Sequence, residues 1–421
     1  MVLATPAPKV LWVQVWGLAL VQGAIALTWV IYNLYLVELL TQFGFSASLA
    51  TILLVIENIL AAVIEPLMGN FSDGLQHKMG TRFPFIALGM IIASACFLGI
   101  PAVLVFTGPS GMIRWLLPIM LVAWAIAMTL FRSPALSLLG RYAFRTQLPQ
   151  AASILTLVGG VTGALAPLAG NFILRMGPLF TFFIGSLSLL GAAVALRAVG
   201  PNQRVIDSAE NLTAESTRHS IEDDNAETIT PMGNPSVSMP MAFSKLALVF
   251  GAGMGVALGF RLVMQIFPKV LSEQVPDINS RFVLGAIFVS LALTAIPAGK
   301  LAAYMGMRLA MITGLGMMSM LTLLVLIGKS NVTVFGVAIA LGICLSLVSN
   351  TTLPFALSMV PDHKSGLGTG MYFSGGAVAS SAYGMMLSNG IELSSTSGAY
   401  LGAIAFLCAA ACTMTSFKFT T

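Results

Sequence analysis

The sequence predicts an all-α membrane protein, with twelve transmembrane helices arranged as two pseudo-symmetric six-helix bundles. Only 8% of its residues are charged and 57% are hydrophobic, whereas a soluble domain carries roughly 25% charge. Water could not wet such a surface, and lipid is the solvent that fits. The apolar residues fall in twelve runs, each close to the roughly 20 residues a helix needs to cross the hydrocarbon core. Two glycine-rich segments also recur at matching places in the two halves, and parallel six-helix repeats are a transporter architecture.

The first run, 11–37, follows one early lysine, Lys9. It is too long for a secretory leader and no clean A-x-A site interrupts it, so it reads as a span. The second, 47–68, holds Glu57 and Glu65 and closes on PLMG at 66–69. Then come 83–106, 115–137 with Arg132 near its end, 150–173 with Gly159, Gly160, Gly163, Pro167 and Gly170, and 178–197. In the second half, 244–267 contains Arg261 and the run Gly251, Gly253, Gly255, Gly259. No strand precedes that run and the helix is apolar, so close packing or bending of a helix explains it better than a nucleotide loop. Runs 282–302, 308–328, 332–357, 366–389 and 397–417 complete the set. The expected division is an N-terminal bundle at 1–197, a linker at 198–243 and a C-terminal bundle at 244–421. In the linker Asp207, Glu210, Glu215, Glu222, Asp223, Asp224 and Glu227 oppose only Arg204 and Arg218. With few large apolar residues, it reads as a flexible acidic connection.

Orientation follows from the basic residues. With both termini inside, Lys9, Lys78, Arg82, Arg141, Arg145, Lys300, Arg308, Lys364 and Lys418 lie on the cytoplasmic side, against Arg114, Arg175, Lys269, Arg281 and Lys329 outside. That bias places both termini and the linker in the cytoplasm of a cell inner (plasma) membrane protein. The net charge of +5 is spread out, so nucleic acid is not an expected partner. Cys96, Cys344, Cys408 and Cys412 all fall in apolar stretches without zinc spacing, and no metal or cofactor is expected.

The repeat itself is GNFSD at 69–73 running to GTR at 80–82, matched by GKLAA at 299–303 running to GMR at 306–308. A second pair straddles the loop after the fourth span of each half, RSPALSLLGRYAFRTQLPQ against TLPFALSMVPDHKSGLGTG. The glycine segments resemble the major facilitator signature G-x-x-x-D-x-x-G-x-[RK]. The second copy has the family spacing through Gly299, Gly306 and Arg308, with Ala303 where the acid is expected. The first keeps Gly69, Asp73, Gly80 and Arg82, lengthened by four residues. That longer loop, ending in RFPFI at 82–86, resembles the sucrose–proton symporters and the glycoside-pentoside-hexuronide carriers, as do PLMG and GLGTGMYFSGG; Gly74 stands where they usually carry arginine. The resemblance implies the major facilitator fold, no enzymatic activity, and a gating role for this loop, with Asp73 accepting hydrogen bonds at a helix N-terminus and pairing with Arg82 or a basic group of the other half. The same residues are also explained by topology alone.

Charges inside spans are the other clue, because each costs roughly 2.5–3.5 kcal/mol at the bilayer centre on insertion scales. Glu57, in mid-span, can load and release a proton as its access alternates; it can also be a neutral acid hydrogen-bonded to a neighbouring helix. Glu65, just before Pro66, matches a cation-binding position of melibiose-type carriers, although Ala61 replaces their second acid. Arg261 and Arg132 are candidate counter-charges or substrate anchors; Arg132 can instead snorkel to the interface. Gln22, Trp29, Asn33, Tyr35, Gln265 and Asn350 are candidate solute contacts, or packing residues.

Together these features imply a secondary transporter that moves a small polar solute by alternating access coupled to protons, and the resemblance to the sugar carriers points to a sugar or glycoside as one such solute. Bilayer, solute and protons are the expected partners, and the oligomeric state is open. Two alternatives stand beside it. One is a non-transporting assembly factor akin to light-harvesting assembly proteins, though His77, His219 and His363 all fall in connections. The other is an efflux carrier, although the fifth span lacks the Gly-Pro pair of the antiporter signature.

Overall fold

The computed structural model describes residues 10–106, 111–200, 239–275, 279–327 and 330–419. Twelve long helices account for most of them: α1 Trp12–Gln42, α2 Ala47–Met79, α3 Phe83–Phe106, α4 Leu116–Leu136, α5 Leu148–Arg175 and α6 Pro178–Ala198, then α7 Met239–Gln274, α8 Ser280–Met305, α9 Met307–Leu324, α10 Asn331–Ser358, α11 Ser365–Ser388 and α12 Ser395–Thr415. Among the described residues there is no strand. A helix satisfies its own backbone, which is what an apolar solvent demands.

Several expected boundaries move. The segment anticipated as a loop from Gly69 is helical to Met79, so Gly69 and Asp73 are side-by-side features of α2. Polar Gln76, His77 and Lys78 carry this extension beyond the apolar run. Likewise Gly299 lies within α8. True connections begin only at Gly80 (φ 73°) and Gly306 (φ 88°), where the backbone turns through a region L side chains avoid. Gly306 alone joins α8 to α9. The acidic linker lies outside the described residues from 201 to 238, and α7 already begins at Met239, inside the interval expected to be linker.

Eleven of the helical segments are long and apolar enough to cross a membrane. The exception is α11, where glycine and serine alternate with apolar residues. Its place in the bundle comes from packing rather than from its own apolarity. The spanning helices show large apolar side chains outward, Leu293 at 75%, Val194 at 69% and Phe172 at 67% exposure among them, as a lipid-facing belt requires.

The buried side chains form two large clusters, one built on α1–α6 and one on α7–α12, with Leu353 and Leu357 of α10 reaching into the first. The halves meet along two seams, α2 against α11 and α5 against α8. Glycines permit both. In the first seam a methyl group on Gly69 would overlap the Gly366 carbonyl. In the second, one on Gly163 would lie 2.7 Å from the Phe288 ring. The Gly253–Gly259 stretch of α7 does the same work within the C-terminal half, against Tyr372 of α11 and Phe406 of α12. The helix end shared by the described chain termini and the connections at 80–82 and 306 is called the linker face below.

Candidate functional site

Three clusters of polar residues sit on this scaffold. The first is a cavity of about 570 Å³ between the halves, lined by Asn33 of α1, Ala257, Phe260, Arg261, Met264 and Gln265 of α7, and Ser380 and Tyr383 of α11. All lie in the part of their helix remote from the linker face. The Arg261 side chain is exposed into this space, and its Nε donates to Ser380 Oγ at 2.9 Å. Asn33 steadies itself by donating from Nδ2 to the Trp29 carbonyl at 2.7 Å.

The second cluster is a line of carboxylates on α2. Glu57, Glu65 and Asp73 are spaced by eight residues, which on a helix gives steps of about 12 Å along the axis and about 80° around it. Each therefore meets a different neighbour. Glu57, 4% exposed, accepts a hydrogen bond from the Tyr32 hydroxyl of α1, while its Oε2 is buried without a partner among the described residues. Tyr32 is wedged against Trp124 of α4 at 4.6 Å and meets Trp29 edge to face at 5.6 Å. Arg261 is not the counter-charge of Glu57; Tyr32 is its partner.

Glu65, fully buried, pairs with Arg132 of α4, whose Nε donates to Oε1 at 2.7 Å and whose Nη2 lies 2.6 Å away. Arg132 therefore turns inward rather than to the interface. Its guanidinium lies 4.5 Å from the centre of the Phe373 ring of α11, a cation–π contact that ties the ion pair to the other half.

The third cluster closes the linker face. Asp73 Oδ1 accepts from Arg82 at 2.5 Å and from the Gly366 backbone amide at 2.9 Å, and Oδ2 accepts from the Leu367 amide at 2.9 Å. Those amides open α11, so Asp73 caps a helix of the opposite half, where a negative charge is favoured. Arg82 also donates to Ser137 and, at 3.0 Å, to Ser365. Burial pushes the Arg82 guanidinium below its ordinary pKa, Asp73 opposes that shift, and nearby Arg141 adds to it. Lys364 donates to Asn70 at 3.0 Å, and Ser133 to the Gly366 carbonyl at 2.9 Å. The second copy of the repeat works differently. With Ala303 in the acid position, Gly299 packs directly on Ser153 of α5. Arg308 donates to Met359 Sδ at 3.7 Å and lies over the Phe417 ring at 5.4 Å.

The remaining candidates divide. Asn33, Arg261 and Gln265 meet in the cavity, with Trp29 one turn from Asn33. Gln22 faces Gly159 of α5, with its Oε1 buried and unpaired among the described residues. Tyr35 is turned into the N-terminal half, where its hydroxyl donates to the Ile173 carbonyl at 2.8 Å. Asn350 is buried between α10 and α8, donating to the Ala295 carbonyl at 2.8 Å. Neither reaches the cavity. His77 and His363 are exposed on the linker face, and His219 lies outside the described residues. Tyr32, Ser380 and Tyr383 were not picked out from the sequence. Tyr32 falls three residues after Trp29, on the same helix face, which is a usable signal; a serine in a Gly/Ser-rich helix gives none.

Comparison with known proteins completes the picture. The family model of the Major Facilitator Superfamily matches residues 18–384. The crystal structure of the human organic anion transporter MFSD10 (TETRAN) superposes with a TM-score of 0.63 at 16% identity, covering 96% of this chain and 99% of that one. The MFS proton:xylose symporter XylE, bound to 6-bromo-6-deoxy-D-glucose, gives a TM-score of 0.72 at 13% identity, covering 97% and 96%. At such identities the likeness is one of fold. No curated protein matches the chain in sequence.

Proposed function

The chain belongs to the Major Facilitator Superfamily and is an integral membrane secondary transporter rather than an enzyme, and from that premise we propose that it moves a small polar solute by proton-coupled alternating access. The solute occupies the cavity between the halves, reached from the side opposite the linker face. The observation that carries the coupling is Glu57. It is a buried acid with one oxygen on Tyr32 and the other unspent. Tyr32 is the immediate neighbour of Asn33, which lines the cavity. A proton on Glu57 and a solute at Asn33 are thus read by adjacent residues of α1.

In this reading the closed linker face is one end-state. Rocking of the halves about the α2–α11 and α5–α8 seams breaks the Asp73–α11 cap, opens the path at the linker face and closes the one on the other side. The basic-residue bias puts the linker face in the cytoplasm of an inner membrane, and the two bundles, 1–197 and 244–421, are the moving bodies.

The test uses proteoliposomes loaded with a pH dye and a panel of sugars, glycosides and organic acids. One solute is expected to carry protons with it, and Glu57→Gln to abolish that movement by at least tenfold while the melting temperature stays near that of the wild type. Unchanged proton movement in the variant removes Glu57 from the mechanism.

A further inference from the structure

We infer that the cavity between the halves binds a small organic monoanion through Arg261, an assignment that rests on the transporter reading above and narrows its substrate class. Arg261 stands well inside α7, a helix apolar enough to cross the membrane. Charged side chains in such places face a pathway or a partner. Among the described residues the ion pairs are Arg82–Asp73, Arg132–Glu65 and Arg145–Asp362. Arg261 belongs to none of them. Every other side chain lining its cavity is neutral. Of the carboxylates on α1 and α2, Glu57 is engaged by Tyr32, Glu65 by Arg132 and Asp73 by Arg82, and Glu38 accepts a hydrogen bond from Gln42 and is not among the residues lining the cavity.

The geometry suits a planar anion. Ser380 takes the Nε hydrogen at 2.9 Å, which fixes the guanidinium and leaves its terminal amino groups as a fork. A carboxylate accepts such a fork with both oxygens. Gln265, one turn beyond Arg261, and Asn33 across the cavity offer hydrogen bonds to hydroxyl or amide groups, and Phe260 with Met264 forms an apolar wall. At about 570 Å³ the cavity falls within the range of small-molecule sites, roughly 300–1,000 Å³, and holds more than an inorganic ion. One cation balances one negative charge. A neutral solute would leave the guanidinium uncompensated, and a dianion would leave a charge over.

Binding of trifluoroacetate to the detergent-purified full chain, followed by fluorine NMR, tests this, with trifluoroacetamide as the neutral counterpart of the same size. Saturable broadening of the trifluoroacetate signal is expected, with at least tenfold weaker effect for trifluoroacetamide. Arg261→Gln should lose binding at least tenfold, and Arg261→Lys should retain part of it. Equal binding of both probes to the wild type, no saturable binding of trifluoroacetate, or unchanged binding by Arg261→Gln overturns the assignment. The comparison of the two probes needs no variant, so a misfolded substitution cannot rescue the idea. The measurement also needs no transport. Absent proton movement in vesicles would leave it standing, and absent anion binding would leave proton coupling standing.

Discussion

Asp73 shows how much one carboxylate can organise. It holds Arg82 of its own half and the first amides of α11 in the other, and Arg82 extends the network to Ser137 and Ser365. Removing one member of a buried charge pair costs about 3–5 kcal/mol, because the other is left uncompensated. Asp73→Asn should therefore shift the molecule away from the state closed at the linker face. Disulfide cross-linking between Asn70→Cys and Lys364→Cys, whose native side chains are bonded at 3.0 Å, should drop several-fold in that background; undiminished yield would show that the face closes without the pair. Asp73 and Arg82 stand out in the sequence because glycine and base recur at matching places in the two halves, with the acid kept in the first copy. Glu57, Glu65, Arg132 and Arg261 stand out because charge is rare in apolar runs. Which charge meets which is not legible. The pairing of Glu65 with Arg132, and of Glu57 with a tyrosine instead of an arginine, depends on the rotation of α1, α2 and α4 about their axes, and uniformly apolar helices carry no periodic stripe to fix that rotation.

At the scale of the helix, span positions follow from apolar length, and ends do not. A run of apolar residues reports the lipid thickness, whereas α2 continues to Met79 on polar residues that water solvates equally well in a helix or a loop. The glycines are legible as packing residues without saying against what. Their opposing atoms set how a substitution is felt. At Gly370 of α11 an added Cβ would lie 2.5 Å from the Glu65 carbonyl oxygen and 2.7 Å from the Pro66 Cα, backbone atoms that cannot step aside. At Gly163 of α5 it would meet the Phe288 ring, a side chain that can rotate. Overpacking costs about 1–3 kcal/mol, and more when the obstacle is rigid. Gly370→Val should consequently lower the melting temperature and solute uptake well beyond Gly163→Val, measured side by side; equal effects would mean that the α2–α11 seam yields as readily as the α5–α8 seam.

For the molecule as a whole, the two seams are built by different means. Charge and capping close α2 on α11, whereas small residues alone let α5 lie on α8. The twofold likeness of the halves was readable from the repeats, and this asymmetry follows from a single departure, Ala303 opposite Asp73. On the readings proposed for Glu57 and Arg261, each cycle moves one proton and one monoanion, and no net charge crosses. Uptake of an anionic substrate should then respond to a pH gradient but change less than twofold when a potassium diffusion potential is imposed with valinomycin; a strong response to potential would break that stoichiometry. The weak apolarity of α11 has its own outcome during synthesis. A nascent helix rich in glycine and serine gains little from partitioning into lipid by itself, and its seam partner α2 is made nearly three hundred residues earlier. The translocon must therefore deliver α11 to a groove already waiting between α2 and α7, so insertion of this segment is an act of assembly, and the first half of the chain serves as its template.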